Sequence, residues 1–208
     1  DCAPLLRYED RFNFLSPATL YRDMRSLVTD DLAKTISEVS YNNEWKTELT
    51  EEDGDIYLRY TGSLFHTAAE VKAKDDFWYG LQKRAWAALR KYDPEWRSKG
   101  TVTLYEHKNY YSVGQFTVDV GSAPHANFDK DTLELITMEK LIGKDWQQYI
   151  TDADNKDEIT DLLPSEWLEY AGYDNVTVFA FPGEHQYFLT ALSVPEEKIN
   201  KRYLTTQN

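Results

Sequence analysis

The stretch Thr101–Ile142 reads TVTLYEHKNYYSVGQFTVDVGSAPHANFDKDTLELITMEKLI, and its periodicity decides the fold class. Val102 and Leu104 alternate with Thr101, Thr103 and Tyr105, the period of a strand with one buried face. His107-Lys108-Asn109 marks a turn, after which Tyr111, Val113, Phe116, Val118 and Val120 return as a second strand. Gly114 disturbs that alternation, which suggests a bulge. Residues 121–127 read as a loop. Leu133 and Leu135 then look like a third strand, introduced by the turn Asp129-Lys130-Asp131. Thr137 is placed to cap a helix with Glu139 in its first turn, continued by Leu141, Trp146 and Ile150.

Upstream, the chain supplies elements to cover a sheet. Residues 1–15 carry few periodic signals and read as a leading arm. Ser16-Pro17 announces a helix whose apolar stripe runs from Leu20 to Ile36, with Thr29-Asp30-Asp31 allowing a break into two. Ser40 to Asp55 is polar, with a turn at Glu51-Glu52-Asp53-Gly54 and a short strand suggested by Trp45 and Leu49. Asp55–Phe65 alternates as a strand that Gly62 bulges or ends. The clearest helix follows, with Asp75-Asp76 at its start. It carries Trp78, Leu81, Ala85, Leu89 and Tyr92 on one face until Asp93-Pro94 stops it. Its basic residues suit a solvent face, or a membrane surface in combination with Trp78.

Downstream, residues 151–163 are acidic and read as a loop or short helix. Pro164-Ser165-Glu166 reads as the start of a helix that Gly172 ends. Val176–Phe181 and Tyr187–Val194 form a closing hairpin, and Pro195-Glu196-Glu197 opens a terminal helix. With no internal repeat and no low-complexity linker, residues 1–208 are expected to form a single α+β domain. Its antiparallel sheet should carry helices packed on one face.

Composition narrows the function. A chain of 208 residues, 41% hydrophobic and 14% aromatic, can bury enough surface to offset the entropy of ordering. Six Trp and fifteen Tyr suit half-buried sheet faces, an aromatic core or a binding surface. The net charge of −13 argues against sequence-independent nucleic-acid binding, because phosphate would be repelled. It serves solubility and would speed encounters with a cationic partner. The lone cysteine, Cys2, excludes an intramolecular disulfide and a cysteine-based zinc cluster. Near the N-terminus it is also where a bacterial lipoprotein carries its acyl anchor, although Asp1 is a poor neighbour for that role. No apolar run is long enough to span a membrane.

Catalytic motifs do not emerge. The four histidines, His66, His107, His125 and His185, include no pair at helical zinc spacing and no HExxH. No nucleophile elbow and no phosphate-cradling glycine loop is present. His125, Asn127 and Asp129 are the nearest approach to a ligand cluster, set in the 121–127 loop and the turn after it. Together with Tyr110 and Tyr111 they form the candidate binding surface; no cofactor and no bound metal is expected. The alternative is a hydrolase or metal-dependent enzyme built on His125, Asp129 and a second histidine brought close by folding.

The order from Tyr110 onward resembles the outer domain of the lysozyme-sensing, RsiV-type anti-sigma factors and of many envelope lipoproteins. In that family a strand leads into a Gly-Gly-Ala-His-Pro-Asn loop, then an Asn-Phe-Asp-Leu strand, Thr-Gly-Lys and a helix entry. The matching run here is Gly121-Ser122-Ala123-Pro124-His125-Ala126-Asn127-Phe128-Asp129, with Thr137–Ile142 as the helix entry. Val176–Phe181 and Leu189–Val194 match the family's closing hairpin, so the resemblance covers about residues 101–204. One glycine of the pair is missing, His125 follows the proline instead of preceding it, and the loop-to-strand spacing is shorter. The resemblance implies a non-enzymatic, receptor-like or inhibitor-like domain outside the cytoplasmic membrane. Its partner would be a basic protein such as lysozyme, or a cell-wall glycan.

Overall fold

The computed structural model describes residues 44–116, 124–150, 156–167, 175–181 and 190–204. Cys2, the leading arm, the helix expected from Ser16, and Val118 and Val120 lie outside the described residues. The class is α+β, with three antiparallel sheets and one long helix among the described residues. The chain divides into two compact units: Asp1–Thr50 with Leu58–Tyr79, and Glu51–Tyr57 with Gly80–Asn208.

Strands β1 (Trp45–Glu52) and β2 (Asp55–Ser63) form a two-stranded sheet, so the short strand suggested by Trp45 and Leu49 is a full one. Asp53 (φ 53°) and Gly54 (φ 80°) both adopt the left-handed conformation that a two-residue hairpin turn requires. Helix α1 spans Ala68–Tyr92 and starts two turns before Asp75-Asp76. Its cap is Thr67, whose Oγ1 accepts from the Glu70 N–H at 3.3 Å. The Glu70 carboxylate in turn accepts from the Thr67 N–H at 2.7 Å. This Thr-x-x-Glu capping box satisfies two helix-end donors reciprocally. Asp75 is a mid-helix residue that accepts from Arg59 Nη2 at 2.6 Å and from the Tyr60 N–H at 2.9 Å. In the same unit, the Trp45 ring stacks on His66 at 4.2 Å and carries Lys74 Nζ 4.5 Å from its centroid.

In the second unit, β3 (Thr101–Glu106), β4 (Tyr110–Phe116) and β5 (His125–Asp129) make one antiparallel sheet. The register runs unbroken through Gly114, so the bulge expected there is absent. The expected 121–127 loop also needs correcting, because its last residues begin β5. His-Ala-Asn-Phe-Asp alternates strictly, polar residues on one face and apolar ones on the other, and every residue of β5 is buried. Leu133 and Leu135 form no third strand. They run back along β5 with a single bridge, Phe128 to Leu135, and Leu133 sits at φ 54°.

The remaining strands, β6 (Leu163–Trp167), β7 (Asn175–Phe181) and β8 (Thr190–Pro195), form the third sheet. Pro164-Ser165-Glu166, read as a helix start, therefore belongs to a strand. Leu162 and Leu163 are fully buried, and the register shifts between Pro164 and Glu166, where a strand tolerates a missing N–H. Thr137 does cap a helix, α2 (Met138–Leu141), its Oγ1 accepting from the Lys140 N–H. That helix ends early, near Gly143 at φ 123°, and Trp146–Tyr149 forms a separate 3-10 turn. The terminal helix is likewise only a 3-10 turn, Glu196–Lys198.

A core containing Ile136, Leu141, Trp146, Val178, Leu192 and Ile199 closes this unit. Apart from that cluster, α1 buries Leu81, Ala85, Trp86 and Leu89 in the same unit. Trp86 Nε1 donates to the Ile56 carbonyl at 3.1 Å, and the Arg84 guanidinium lies 4.9 Å from the centroid of Phe128. Since side chains alternate along β5, the Phe128 face is the helix-bearing face of the β3–β4–β5 sheet. The opposite face presents His125, Asn127 and Asp129.

Candidate binding site

Register assembles that polar face row by row. Thr103, Gly114 and His125 oppose one another across the three strands, and so do Tyr105, Ser112 and Asn127. Tyr110 opposes Asp129, with His107 beside it, its N–H donating to the Tyr110 carbonyl at 2.9 Å. Cross-strand partners point to the same side of a sheet. A cavity of about 210 Å³ opens on this face, lined by Tyr105, His107, Tyr110, Ser112, His125, Asn127 and Ser165.

Each lining group is fixed by a local cause. The His125 imidazole lies flat over Gly114, where a Cβ would come within 2.7 Å of Nε2. That close approach, and not a bulge, is what the glycine permits. Nε2 is 3.1 Å from Thr103 Oγ1, and the His125 backbone N–H donates to Ser165 Oγ at 2.8 Å. Asn127, 1% exposed, donates from Nδ2 to the carbonyls of Pro164 (3.0 Å) and Ser165 (3.2 Å). Both of those partners are acceptors, so the amide orientation is determined and Oδ1 is left as an acceptor. No side-chain hydrogen bond of Ser112 or His107 is present among the described residues.

Aromatic rings form the wall. His107 stacks on Tyr110 at 4.2 Å and 19°. Tyr105, 51% exposed, lies 6.1 Å from His107 and 6.3 Å from His125. Burial pushes the His107 pKa below its ordinary value, and the neighbouring His125 and Lys130 push the same way. His107 is therefore neutral at neutral pH. Lys130 pairs with Glu106 at 2.7 Å, so that charge is compensated.

Of the five residues singled out from the sequence, Tyr110, His125 and Asn127 line the cavity. Tyr111 sits on the other face, opposite Phe128, with Lys130 Nζ 5.1 Å from its ring centroid. Asp129 shares the cavity's face but is sealed. Its carboxylate accepts from Arg202 Nε at 2.6 Å, from the Tyr203 hydroxyl at 2.9 Å, and from the N–H groups of Asp131 and Thr132 at 2.9 and 3.1 Å. The Arg202 guanidinium holds the carboxyl far below the usual carboxylate range, and the other donors reinforce it.

This geometry does not bring His125 and Asp129 together around a metal ion. Four residues apart on a strand, their Cα atoms are separated by about 13 Å, too far to share a coordination sphere. Asp129 also has no lone pair to spare for a proton or a metal. Among the described residues, no group of three His, Cys, Asp or Glu side chains is placed to hold a metal ion.

Tyr105, His107, Ser112 and Ser165 are the lining residues that the sequence reading did not single out. Once His125–Asp129 is read as a strand in register with Tyr110–Gly114, period-two alternation places Tyr105 and Ser112 beside Asn127. Ser165 had no comparable signal, because its strand read as a helix. Set against known proteins, the chain matches no protein-family model, no curated protein and no solved structure.

Proposed function

We propose that the chain is a non-enzymatic binding domain of the bacterial cell envelope that holds a cell-wall glycan against the β3–β4–β5 face. The cavity lined by Tyr105, His107, Ser112 and Asn127 carries this reading. An exposed aromatic ring beside buried, uncharged hydrogen-bonding groups suits a hydroxylated ring that stacks on one side and is recognised at its edge. At about 210 Å³ the cavity is smaller than the roughly 300–1,000 Å³ of sites for drug-sized ligands, which fits one small polar ring. The other partner class, a basic protein such as lysozyme, draws support from the net charge of −13. It gains nothing from the described lining of the cavity, which includes no carboxylate, and Asp129 on the same face is engaged by Arg202 and Tyr203. The extracytoplasmic location rests on the resemblance in residues 101–204, and an acyl anchor would sit on Cys2. Among the described residues no helix is long and apolar enough to cross a membrane.

Retention of the full chain on insoluble peptidoglycan, and separately on immobilised lysozyme, at low and high salt tests the proposal. Glycan recognition by uncharged groups predicts retention on peptidoglycan that salt barely changes and that Tyr105→Ala weakens. Salt-sensitive retention on lysozyme alone would transfer the function to the acidic surface. Retention on neither at low salt would refute both.

A further inference from the structure

Ser112 and Asn127 face each other directly across β4 and β5, and both line the cavity. They are 5% and 1% exposed, yet each keeps a side-chain oxygen without a partner among the described residues. Asn127 spends Nδ2 on the carbonyls of Pro164 and Ser165, so Oδ1 remains as an acceptor. Ser112 Oγ can donate, and no hydrogen bond joins it to Asn127 Oδ1. Among the described residues no sealed side-chain nitrogen or oxygen lacks a partner, so these two oxygens open onto the cavity. Opposed residues on antiparallel strands hold their Cβ atoms about 4.5–5.5 Å apart. One small group can therefore touch both oxygens at the ordinary hydrogen-bond distance of about 2.8 Å. To satisfy the pair it must accept from Ser112 and donate to Asn127. A hydroxyl does both through a single oxygen, whereas an ether oxygen only accepts.

We infer that Ser112 and Asn127 together read one free hydroxyl of the bound sugar. Its oxygen accepts from Ser112 Oγ, its O–H donates to Asn127 Oδ1, and the sugar ring lies against Tyr105. This rests on the glycan reading above and narrows it: one hydroxyl position decides affinity, and that position must be unsubstituted. Without that hydroxyl the buried Asn127 oxygen has no donor, a loss against which such a site discriminates strongly.

Calorimetric titration of the full chain, paired with NMR of the ring signals of His107 and His125, tests the inference. The probes are N,N′-diacetylchitobiose and analogues in which one hydroxyl at a time is replaced by hydrogen, by a methoxy group or by an ammonium group. The parent disaccharide is expected to bind with a Kd of about 1 mM or tighter and to shift both histidine signals. At one position all three replacements should weaken binding about 10-fold or more, while deoxygenation elsewhere changes it less than about 3-fold. Ser112→Ala should weaken the parent disaccharide about 10-fold and shrink the deoxy penalty at that one position, since one of the two bonds is already gone. The variant removes no side-chain hydrogen bond among the described residues, so its melting temperature should match that of the unaltered protein. Parent binding with no position singled out, or a deoxy penalty unchanged in Ser112→Ala, would overturn the pairing and leave the glycan reading standing. A methoxy analogue that binds as well as the parent would remove Asn127 from it, and an ammonium analogue that binds as well would make the pair a cation site. A parent disaccharide that does not bind, or that leaves both histidines unmoved, would end the glycan reading and the inference with it.

Discussion

A Cβ on Gly114 would meet the ring of His125, whose Nε2 would lie 2.7 Å away. Gly114→Ala therefore forces the imidazole off the sheet and away from Thr103. Overpacking of this kind costs about 1–3 kcal/mol, read as a lowered denaturation midpoint, and should also disturb the His125 ring signals. Asp129→Asn removes the charge that binds Arg202 and should cost about 1.5–3 kcal/mol at neutral pH. Because the native-state carboxyl is held below its unfolded value, that contribution is complete above the unfolded pKa of about 4. It is lost as pH falls through the native value. The stability gap between the parent and Asp129→Asn should therefore be constant above about pH 5 and shrink on acidification. His107, a base whose pKa is also depressed, acts in the same direction on acidification, at its own higher pH. Its NMR midpoint should lie below the ordinary 6.5, and between the two values protonation favours the unfolded chain. The residues Tyr110, His125 and Asn127 were legible as polar and aromatic side chains around one stretch. That Asp129 was already spent was not legible, because Arg202 and Tyr203 lie more than seventy positions away.

Elements with one buried face were readable from period alone: β2, β3, β4 and the buried face of α1 all appear close to where alternation or helical spacing puts them. β5 and β6 were not readable that way. β5 does alternate, but over five residues directly after the Gly121-Ser122-Ala123-Pro124 run it reads as loop, and Leu162-Leu163-Pro164 breaks the alternation at the start of β6. The start of α1 was missed for a different reason. The acidic pair Asp75-Asp76 looks like a cap, while the Thr67–Glu70 box two turns earlier does the capping. Thr67→Ala should cost about 1 kcal/mol, measurable in urea denaturation, and hydrogen exchange should rise first in residues 68–71. Within the second unit, Trp86 ties α1 to β2 through its bond to the Ile56 carbonyl and packs against Trp96 at 5.2 Å. Trp86→Ala should cost about 3–5 kcal/mol, far more than any change on the exposed side of the helix.

For the molecule as a whole, the α+β class follows from strand periods on both sides of one strong helix, and that much was legible throughout. The site emerges only when β3, β4 and β5 align, because residues from three strands and from Ser165 meet at one cavity that no contiguous motif encodes. The long-range charge of −13 and the aromatic, hydrogen-bonding lining of the cavity make separable claims about the ligand. An acidic surface would give binding that falls steeply with salt, whereas the cavity would not. The most direct measurement is an NMR titration of the full chain with soluble, peptide-free glycan strands, following the ring signals of His107 and His125 at low and high salt. Saturable shifts of both histidines, retained at high salt and weakened by Tyr105→Ala, are predicted. Glycan binding that leaves both histidines unmoved, or no binding at all, would contradict the assignment of function to this face.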